Sequence, residues 1–423
     1  MMEMKKYKLG DCLSMIRNGA NIKQSEGAGG IPITRIETLS GDDFHRDRLG
    51  YADVYDIDPY TNHILQDNDI LMSHINSRTY LGRSVQYHKR ENEVIIHGMN
   101  LLRIQTKADI LDCSYAYYFF QNPYFKKCVD NRRTDAVNQS SINIANICDI
   151  KVDLPSLPIQ QKVASVLSAL DKKIALNRQI NQNLEALARQ LYDYWFVQFD
   201  FPDANGNPYK SSGGEMVYNP QLKREIPEGW EVKEIGAILD KVKSSTKLTT
   251  NEFAANGKYP IIDQATDTYY AGFTNREDAV LDQYPAVVFG DHSCAIKYVN
   301  FPFVRGADGT QVMISKEPRV STEYLYFAVK DVKIGKGYAR HYSFLKSSLI
   351  IVPSQAVALK FREKADNLLN QITHRREEIL SLTKQRDELL PLLMNGQVNF
   401  DLYANIHIFI CISIKNILPL QKI

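Results

Sequence analysis

Two long stretches of the chain carry apolar residues at the spacing of a packed helix. In the first, from about residue 158 to residue 197, Val163, Leu167, Leu170 and Ile174 follow one another in steps of four and three. The same rhythm resumes beyond Asn177, at Ile180, Leu184, Leu187, Leu191 and Tyr194. Alternating steps of three and four are typical of the seam between two helices of a coiled coil.

The end of this first helix is aromatic and allows two interpretations. Tyr192, Tyr194, Trp195 and Phe196 follow closely on one another. These side chains would either cap the helix bundle or anchor a partner protein, since buried aromatic residues carry much of the binding energy of interfaces.

A second long helix is predicted from about residue 354 to residue 394. Its seam positions are Ala365, Leu369, Ile372, Ile379, Leu382, Arg386, Leu389 and Leu393. Gly396 follows the predicted C-terminus, where glycine readily adopts the left-handed conformation of a helix cap.

The two predicted helices repeat one another. The pairs Pro155 and Pro353, Lys162 and Lys360, and Ile174 and Ile372 are each 198 positions apart. Such a period is too long for a solenoid. It predicts a duplicated unit, in which one globular domain is followed by one long helix.

The blocks in front of the two helices contain short β-rich runs separated by Gly, Asn and Asp. These runs cover residues 31–36, 69–75 and 94–96 in the first block, and residues 259–262, 286–290 and 310–314 in the second. Each block also has an aromatic helix candidate, at residues 114–120 and 322–329. The pattern predicts two mixed α/β domains of similar build.

Composition and charge narrow the class of protein. The 423 residues include 51 basic and 49 acidic side chains, so the formal charge is only +2 and a nucleic-acid-binding surface requires local segregation of charge. The six cysteines form no CxxC pair or zinc pattern, which is typical of free thiols in a reducing compartment. We find no signal peptide and no run of the roughly 20 apolar residues that span a membrane. We therefore expect a soluble, cytoplasmic protein that does not bind membranes.

Candidate catalytic motifs are incomplete. Residues 122–125, Asn-Pro-Tyr-Phe, match only part of the motif with which amino-methyltransferases grip the target amine, and the Gly-rich methyl-donor loop is missing. Asp203, Glu231 and Lys233 have the residue types of a nuclease site, but they lie in a loop and at a domain edge. The sequence contains no GxxxxGK[ST] phosphate loop. We expect no catalytic residue and no metal site in this chain.

Three clusters of basic and amide side chains are candidates for DNA contact. Basic groups bind phosphates, and Arg, Asn and Gln can also read base edges. The predicted residues are Arg78, Arg83, Lys89 and Arg90 in the first cluster, Lys127, Arg132, Arg133 and Gln139 in the second, and Lys333, Lys336, Arg340 and His341 in the third. The second and third clusters lie shortly before each long helix. Ordinary surface charge is the alternative interpretation of any single residue in these clusters.

Four strings in a fixed order carry a resemblance to a known family. The first helix opens with Leu154-Pro155 and Gln160-Gln161-Lys162 and ends in LYDYWF at residues 191–196. PYKSSGG at residues 208–214 is followed by IPEGW at residues 226–230, and RDELLPLL at residues 386–393 is followed by Asn395-Gly396. Over roughly residues 5–400, the chain resembles the specificity subunit of type I restriction–modification systems.

This resemblance implies an α+β fold with two mixed α/β target-recognition domains, each followed by a long spacer helix. The two helices would form an antiparallel coiled coil, with a pseudo-twofold internal repeat. The implied bounds are residues 1–153 and 230–352 for the domains, 154–200 and 353–396 for the helices, 201–229 for a connector and 397–423 for a tail.

The resemblance also implies a non-catalytic role. Each domain would read one half of a split site in double-stranded DNA, while two methyltransferase subunits would dock on the helices and two endonuclease/translocase subunits would join the complex. S-adenosylmethionine, ATP and magnesium would be bound by those partners, and no cofactor by this chain. The residues predicted to form this scaffold are Leu167, Leu170, Ile174, Leu184, Leu187, Leu191, Trp195, Phe196, Ile372, Ile379, Leu382 and Leu389.

Two segments depart from the family pattern. Residues 352–357 lack the second proline and the Gln-Gln pair that open the first helix. The residues after Phe400 do not match the family's usual ending. Their apolar run would either pack on the helices or represent out-of-register sequence after a frameshift.

Two other functions remain as alternatives. One is a restriction enzyme fused to its own recognition domains, against which the missing methyl-donor loop argues. The other is a coiled-coil scaffold with two protein-binding heads and no role on DNA. A bipartite methylation motif that requires both this chain and a methyltransferase would separate these functions from the specificity subunit.

Overall fold

The structure is a computed structural model that describes residues 3–25, 29–40, 43–137, 139–307, 309–334 and 341–397. The described chain divides into two compact units. Unit 1 contains the residues up to Ile174 together with those from Leu380 onward, and unit 2 contains Ala175–Ile379. Each unit comprises one globular domain and a segment of both long helices.

Unit 1 begins with a largely antiparallel domain of short strands. Its strands are β1 (Lys5–Lys8), β2 (Leu13–Asn18), β3 (Gln24–Ser25), β4 (Ile31–Ile33), β5 (Leu39–Ser40), β6 (Asp43–Phe44), β7 (Gly50–Ala52), β8 (Ile70–Ser73), β9 (Ile75–Asn76), β10 (Ser84–Gln86), β11 (Leu101–Thr106), β12 (Thr134–Asp135), β13 (Ser140–Ser141) and β14 (Lys151–Leu154). Its helices are α1 (Cys113–Gln121), α2 (Pro123–Asp130) and α3 (Ile144–Cys148), and the long helix α4 (Leu157–Tyr192) begins here and continues into unit 2.

The core of this domain surrounds β8. The central sheet has the order β10-β8-β11-β2, and every residue of β8 is buried. Successive side chains of a strand point to opposite faces, so Ile70 and Met72 pack in the main core beside α1, while Leu71 packs in a second cluster with Val85 and Tyr87. β1 pairs with β14, which brings the first and last strands of the domain together.

Unit 2 contains the second domain. Its strands are β15 (Met216–Asn219), β16 (Arg224–Pro227), β17 (Glu231–Glu234), β18 (Tyr259–Ile262), β19 (Gly272–Thr274), β20 (Val280–Leu281), β21 (Ala286–Gly290), β22 (Ile296–Val299), β23 (Phe303–Arg305), β24 (Thr310–Met313) and β25 (Leu349–Val352). Its helices are α5 (Ile235–Ile238), α6 (Thr322–Asp331) and α7 (His341–Ser347), followed by the long α8 (Gln355–Met394), which ends in unit 1.

The two domains repeat one topology. β21 lies between β22 and β24, as β8 lies between β10 and β11, and β17 pairs with β25 as β1 pairs with β14. The aromatic helices α1 and α6 both begin at a side-chain N-cap, Asp112 and Ser321. β14 and β25 are 198 positions apart, the period found in the sequence. The predicted fold class, two mixed domains each followed by a long helix, is confirmed.

Two local predictions differ from the structure. The run at residues 94–96 is not a strand, because Ile96 pairs only through isolated bridges to Ile33 and Ile64. The connector at residues 201–229 is more regular than its Gly, Pro and Ser content predicted, since it contains the hairpin of β15 and β16.

The long helices pack antiparallel within unit 2. Asn177 of α4 accepts a hydrogen bond from Arg375 of α8 at 3.5 Å. Just beyond the end of α4, the Trp195 ring lies 5.9 Å from the ring of Phe361. Residue numbers therefore rise along one helix as they fall along the other.

Unit 1 contains the opposite ends of the same two helices. Leu167 shares the main core with Leu393, and Arg386 Nη1 lies 3.1 Å from Asp171 Oδ1. Tyr118 of α1 also donates its hydroxyl proton to Asp171, at 2.6 Å. The helix ends are thereby fixed to the first domain.

The predicted seam of α4 is correct in its first half and displaced in its second. Leu187 and Tyr194 are 51% and 39% exposed. The buried positions after Ile174 are instead Asn177, Asn181, Ala188, Tyr192 and Trp195. Asn177, Asn181 and Ala188 are polar or small, so a search for large apolar residues passes over them and shifts the predicted register by about one residue.

The other scaffold residues are buried or partly buried. Leu167, Leu170, Ile174, Trp195, Phe196 and Ile372 are buried, and Leu184, Leu191, Ile379, Leu382 and Leu389 are half-buried. Trp195 and Phe196 pack in the core of unit 2, which favours the capping interpretation of the aromatic helix end. Within the part of the chain that the structure describes, no helix is long and apolar enough to cross a membrane.

Candidate nucleic-acid interface

The first and second predicted clusters meet on a small sheet in unit 1. β13 pairs with both β9 and β12. Arg78 begins the turn that follows β9, and Gln139 immediately precedes β13. Both residues line an open cleft of about 400 Å³, together with Ser77, Asp135, Ala136, Val137 and Ser140. The pairing of β9 with β13 thus joins two segments about 60 residues apart in sequence.

The turn that carries Arg78 is fixed by its backbone. Lys126 of α2 donates hydrogen bonds from Nζ to the carbonyl oxygens of Arg78, at 2.9 Å, and Leu81, at 3.0 Å. Gly82 closes the turn with a φ of 81°, in the left-handed region that glycine adopts without strain. The exposed Arg78 side chain therefore projects from a rigid base, which favours recognition of a ligand.

Arg132 and Arg133 have local partners. Arg133 Nε donates to Asp135 at 2.8 Å, and its Nη1 donates to Asp130 at 3.2 Å. The bond from Arg133 lowers the pKa of the Asp135 carboxyl, since it stabilises the charged form. Arg132 donates to the Cys128 carbonyl at 3.3 Å. The Arg133 guanidinium thus helps to hold the hairpin of β12 and β13 in place, whereas the Arg132 guanidinium bonds to the C-terminal end of α2.

The hairpin has an apolar tip. Val137 is 99% exposed and lies in the cleft lining between the Asp135 carboxylate and the Gln139 amide. Lys127 is also exposed, on α2. A positive side chain, an amide and an apolar tip are the three kinds of group that contact phosphates, base edges and thymine methyl groups. Val137 is a candidate contact that a search for basic and amide residues did not identify.

The first predicted cluster is split by the structure. Arg83 precedes β10, and Lys89 and Arg90 follow it. A strand rises about 3.3 Å per residue, so the two ends lie on the order of 20 Å apart. Arg83 stacks on Tyr80, with Cζ 4.4 Å from the ring centroid. Only Arg83 and Arg78 share the turn near Gln139.

Lys89 and Arg90 are exposed in a separate turn that Glu93 stabilises. The Glu93 carboxylate accepts hydrogen bonds from Arg46 Nε at 2.6 Å, from the Tyr87 hydroxyl at 2.7 Å and from the Arg90 amide at 3.2 Å. These bonds, led by that from Arg46, lower the pKa of Glu93 to about 2. This turn is a second basic surface of the first domain.

The third cluster is only partly described. Lys333 is exposed, whereas Lys336 and Arg340 lie outside the described residues. His341 is 9% exposed at the start of α7, where its amide donates to the Asp291 carbonyl at 3.4 Å. Burial leaves the imidazole of His341 little access to a DNA ligand, so its position indicates a role in anchoring this segment.

The start of this segment faces the long helices. Lys330 Nζ donates to the Tyr326 hydroxyl at 2.8 Å and lies 4.6 Å from that ring. Asp331 forms an ion pair with Arg189 of α4. The C-terminal end of α6 therefore contacts the scaffold, and Lys333 is the described member of the cluster that remains exposed.

The structure adds a candidate loop in unit 2. Residues 291–295 follow β21, in the place that residues 74–83 occupy after β8 in unit 1. Gln264 supports this loop, because its side-chain oxygen accepts from the His292 amide at 3.2 Å and its carbonyl accepts from Ser293 Oγ at 2.6 Å. The His292 side chain is exposed. An alignment of the two buried strands ILMSH and AVVFGD would have pointed to this loop from the sequence.

A family model describes most of this chain. The type I restriction modification DNA specificity domain matches residues 1–186 and 227–380. The chain belongs to this family. The matched ranges include the Arg78 turn and the Gln139 hairpin in the first domain, and the His292 loop in the second.

Individual members of the family are similar over shorter lengths. The chain is 34% identical over 232 residues to a putative type I restriction enzyme MjaX specificity subunit from Methanocaldococcus jannaschii, a match that covers 54% of this chain and 51% of the relative. It is 27% identical to the MjaIX specificity subunit of the same organism, over 68% of this chain and 69% of the relative. The first match thus spans about half of the relative's length.

A solved structure shows the same fold. The crystal structure of a type I restriction–modification S subunit from M. genitalium superposes with a TM-score of 0.56 and 16% sequence identity, and covers 93% of this chain and 96% of that chain. At this identity the likeness concerns the fold alone. The prediction of a type I specificity subunit, made from four sequence strings, is confirmed by the family match.

Proposed function

We propose that this specificity subunit reads a bipartite site in double-stranded DNA, with one domain for each half. The observation that supports this proposal is the duplicated topology with different side chains at the same place. Arg78 and Gln139 line the cleft in unit 1, whereas His292 and Ser293 lie in the corresponding loop of unit 2, which Gln264 supports. One scaffold with two different polar surfaces suits the recognition of two different sequences.

The unit 1 surface has the chemistry of a base reader surrounded by phosphate contacts. An arginine can bind guanine through two hydrogen bonds in the major groove, and a glutamine can bind adenine in the same way. Arg78 and Gln139 are the proposed base-reading residues. Lys127, Lys89 and Arg90 are exposed and are the proposed phosphate contacts.

The long helices are the proposed docking surface for partner subunits. Leu176 and Leu187 of α4 are 50% and 51% exposed, and Tyr194, just beyond the end of α4, is 39% exposed. A step of eleven residues returns to nearly the same side of an α-helix, so Leu176 and Leu187 lie on one exposed apolar stripe of α4. We propose that two methyltransferase subunits bind the helix pair, that two endonuclease/translocase subunits join them, and that S-adenosylmethionine, ATP and magnesium are held by those partners. The proposed location is the cytoplasm.

The test is to map methylated bases by long-read sequencing in hosts with the gene present, deleted or expressed without the methyltransferase. We expect a two-part motif only when the chain and the methyltransferase are present together. Methylation by the chain alone would instead support a fused enzyme. A methylation pattern that is unchanged by deletion of the gene would contradict any role in DNA recognition.

A further inference from the structure

A half-buried arginine in unit 1 has no carboxylate of its own. Arg17 of β2 pairs in register with Arg103 of β11, and residues directly opposite one another on neighbouring strands lie on the same face of the sheet. Within the described residues, Arg17 Nε is buried without a hydrogen-bond partner. Burial, and then the charge of Arg103, lower the pKa of the Arg17 guanidinium. A charge in such surroundings is unfavourable unless an anion accompanies it.

The one carboxylate that acts on Arg17 is already bonded to other groups. Asp69 is 1% exposed, and its Oδ2 lies 2.6 Å from Arg103 Nε. The Gln66 amide donates to the same oxygen at 2.6 Å, and Gln105 Nε2 donates to Oδ1 at 2.6 Å. Two arginines therefore share one carboxylate, which leaves the charge of Arg17 without a counter-ion in the described part of unit 1.

The internal repeat identifies the corresponding place in unit 2. The amide of Ala20 donates to the His97 carbonyl at 2.7 Å. In the same way, the amide of Leu248 donates to the Arg305 carbonyl at 3.1 Å. In both units a parallel bridge joins the donor residue to the glycine that follows the acceptor. Arg305 is therefore the counterpart of His97.

Unit 2 also has an unpartnered arginine at this place. Ser245 precedes Leu248 by three positions, as Arg17 precedes Ala20, and Arg305 Nη2 donates to the Ser245 carbonyl at 3.3 Å. Arg305 Nε and Ser245 Oγ are both buried without a hydrogen-bond partner in the described structure. The two units thus take the arginine from different segments, but it lies where equivalent segments meet.

Both arginines lie close to the loops that correspond to one another in the two units. Arg17 is on β2, two strands from the β8 strand that leads to the Arg78 turn, which is about 10 Å at the usual strand spacing. Arg305 is in register with Ile262, two residues before the Gln264 that supports the unit 2 loop. The major groove of DNA is about 12 Å wide, so a phosphate beside the bases at either loop falls within this range.

We propose that Arg17 and Arg305 each bind one phosphate of the DNA backbone, so that the two domains hold their half-sites at equivalent places. Arginine and serine are common phosphate ligands, and Ser245 Oγ and the exposed Lys247 add to the site in unit 2. The proposal rests on the proposed function, because DNA supplies the phosphate. Such contacts add affinity and fix the position of the DNA without selecting its sequence.

Salt titration of the complex with the methyltransferase, on matched and singly mismatched duplexes, tests this proposal. Arg17→Gln and Arg305→Gln should each reduce the log–log salt slope by about one unit, and the double variant by about two. Affinity should fall by the same factor on both duplexes, and the methylated motif should be unchanged. A loss confined to the matched duplex would show a base contact and overturn the phosphate assignment.

Arg48→Gln is the matched control, since it removes the same charge from an exposed position of unit 1. Its slope should equal that of the wild type, and an equal reduction would show a general charge effect and overturn the proposal. Unchanged slopes in Arg17→Gln and Arg305→Gln, in a complex that still prefers its matched duplex, would overturn only this inference. A wild-type complex without any sequence preference would overturn the proposed function instead.

Thermal unfolding of the full chain without DNA separates a ligand contact from a structural role. Arg17→Gln should leave the Tm unchanged or raise it, because the repulsion between Arg17 and Arg103 is removed. A lower Tm would show that Arg17 stabilises the fold and would overturn its assignment. If inorganic phosphate at constant ionic strength raises the Tm of the wild type but not of Arg17→Gln, while the salt slope on DNA is unchanged, the occupant is a free anion and the assignment to DNA is wrong.

Discussion

Arg78 and Arg133 lie beside the same small sheet, in the turn after β9 and just before β12, but have different surroundings. Arg133 bonds to the carboxylates of Asp130 and Asp135, so its charge is used within the fold. The Arg78 side chain is exposed, and its backbone carbonyl is held by Lys126. An arginine that already forms ion pairs within the protein is less available to DNA than an exposed one. Arg78 is therefore the better candidate for DNA contact.

We expect Arg78→Ala to weaken binding of the assembled complex to its true site by about 1–3 kcal/mol and to relax one base position, since the base contact proposed for Arg78 would be lost. Lys127→Ala should instead weaken binding to all DNA and reduce the log–log salt slope by about one unit. Salt titrations with matched and singly mismatched duplexes measure both effects. If Arg78→Ala leaves both the DNA affinity and the base preference unchanged, Arg78 is an ordinary surface charge and does not read a base.

Glu93 makes the stability of the first domain depend on pH in the acidic range. Its pKa is lowered to about 2 in the folded state, chiefly by Arg46, and an unperturbed glutamate titrates near 4.3. The stabilisation is therefore complete above pH of about 4.3 and is lost as pH falls towards about 2.

We expect Glu93→Gln to lower the free energy of unfolding at pH 7 by about 1–3 kcal/mol, because the half-buried Arg46 and the buried Tyr87 lose a charged partner. The difference from wild type should shrink between pH 4.3 and pH 2. Urea unfolding at several pH values measures it. A difference that stays constant over this range would show that the carboxylate charge is not responsible.

At the scale of the helices, the asparagine Asn177 occupies a buried seam position of α4 at which an apolar side chain would pack better. Asn177 is fully buried in the seam of α4, and its Nδ2 has no hydrogen-bond partner in the described structure. A buried asparagine in a coiled coil commonly fixes the register of the helices at a cost in stability. Its cost here is about 1–3 kcal/mol, the usual penalty of an unpaired buried group.

We expect Asn177→Leu to raise the free energy of unfolding by about 1 kcal/mol while broadening the set of helix registers. Chemical unfolding measures the first effect, and exchange of α4 and α8 amides measures the second. Leu170→Asn is the reciprocal control and should destabilise the chain. A loss of stability in Asn177→Leu would mean that the contact with Arg375 outweighs the unpaired amide.

The exposed stripe on α4 tests the docking proposal. We expect Leu187→Asp to leave the unfolding free energy within about 0.5 kcal/mol of wild type, because the side chain is half exposed. Binding of the methyltransferase, measured by titration, should weaken at least tenfold, since a charge in an interface core is unfavourable. Leu167→Asp, at a buried seam position, should unfold the chain instead. Full methyltransferase affinity in Leu187→Asp would exclude this stripe as the docking surface.

At the scale of the whole molecule, the duplication makes the two domains separable. β1 and β14 close the first domain on itself, and β17 and β25 close the second. We expect replacement of residues 1–150 by the first domain of another family member to change one half of the methylation motif and leave the other intact. Methylation mapping of the chimaera measures this, and a simultaneous change in both halves would contradict independent reading.

The sequence alone determined the elements with strong local periodicity. The long helices, the repeat of 198 positions, the aromatic helices α1 and α6 and the buried strands β8 and β21 all agree with the structure within a few residues. Each of these elements is determined by side chains that are close in the sequence. It can therefore be predicted without knowledge of the fold. The duplication added a second, independent copy of every such signal.

Only the tertiary structure decided which surfaces these elements share. It joined Arg78 to Gln139 through β9 and β13, separated Arg83 from Lys89, and buried His341. It also placed Asn177 in the seam of α4 and left Leu187 about half exposed. The pairing of distant strands, and the side of a helix that is buried, depend on the element against which each one packs. Local periodicity in the sequence does not specify that element.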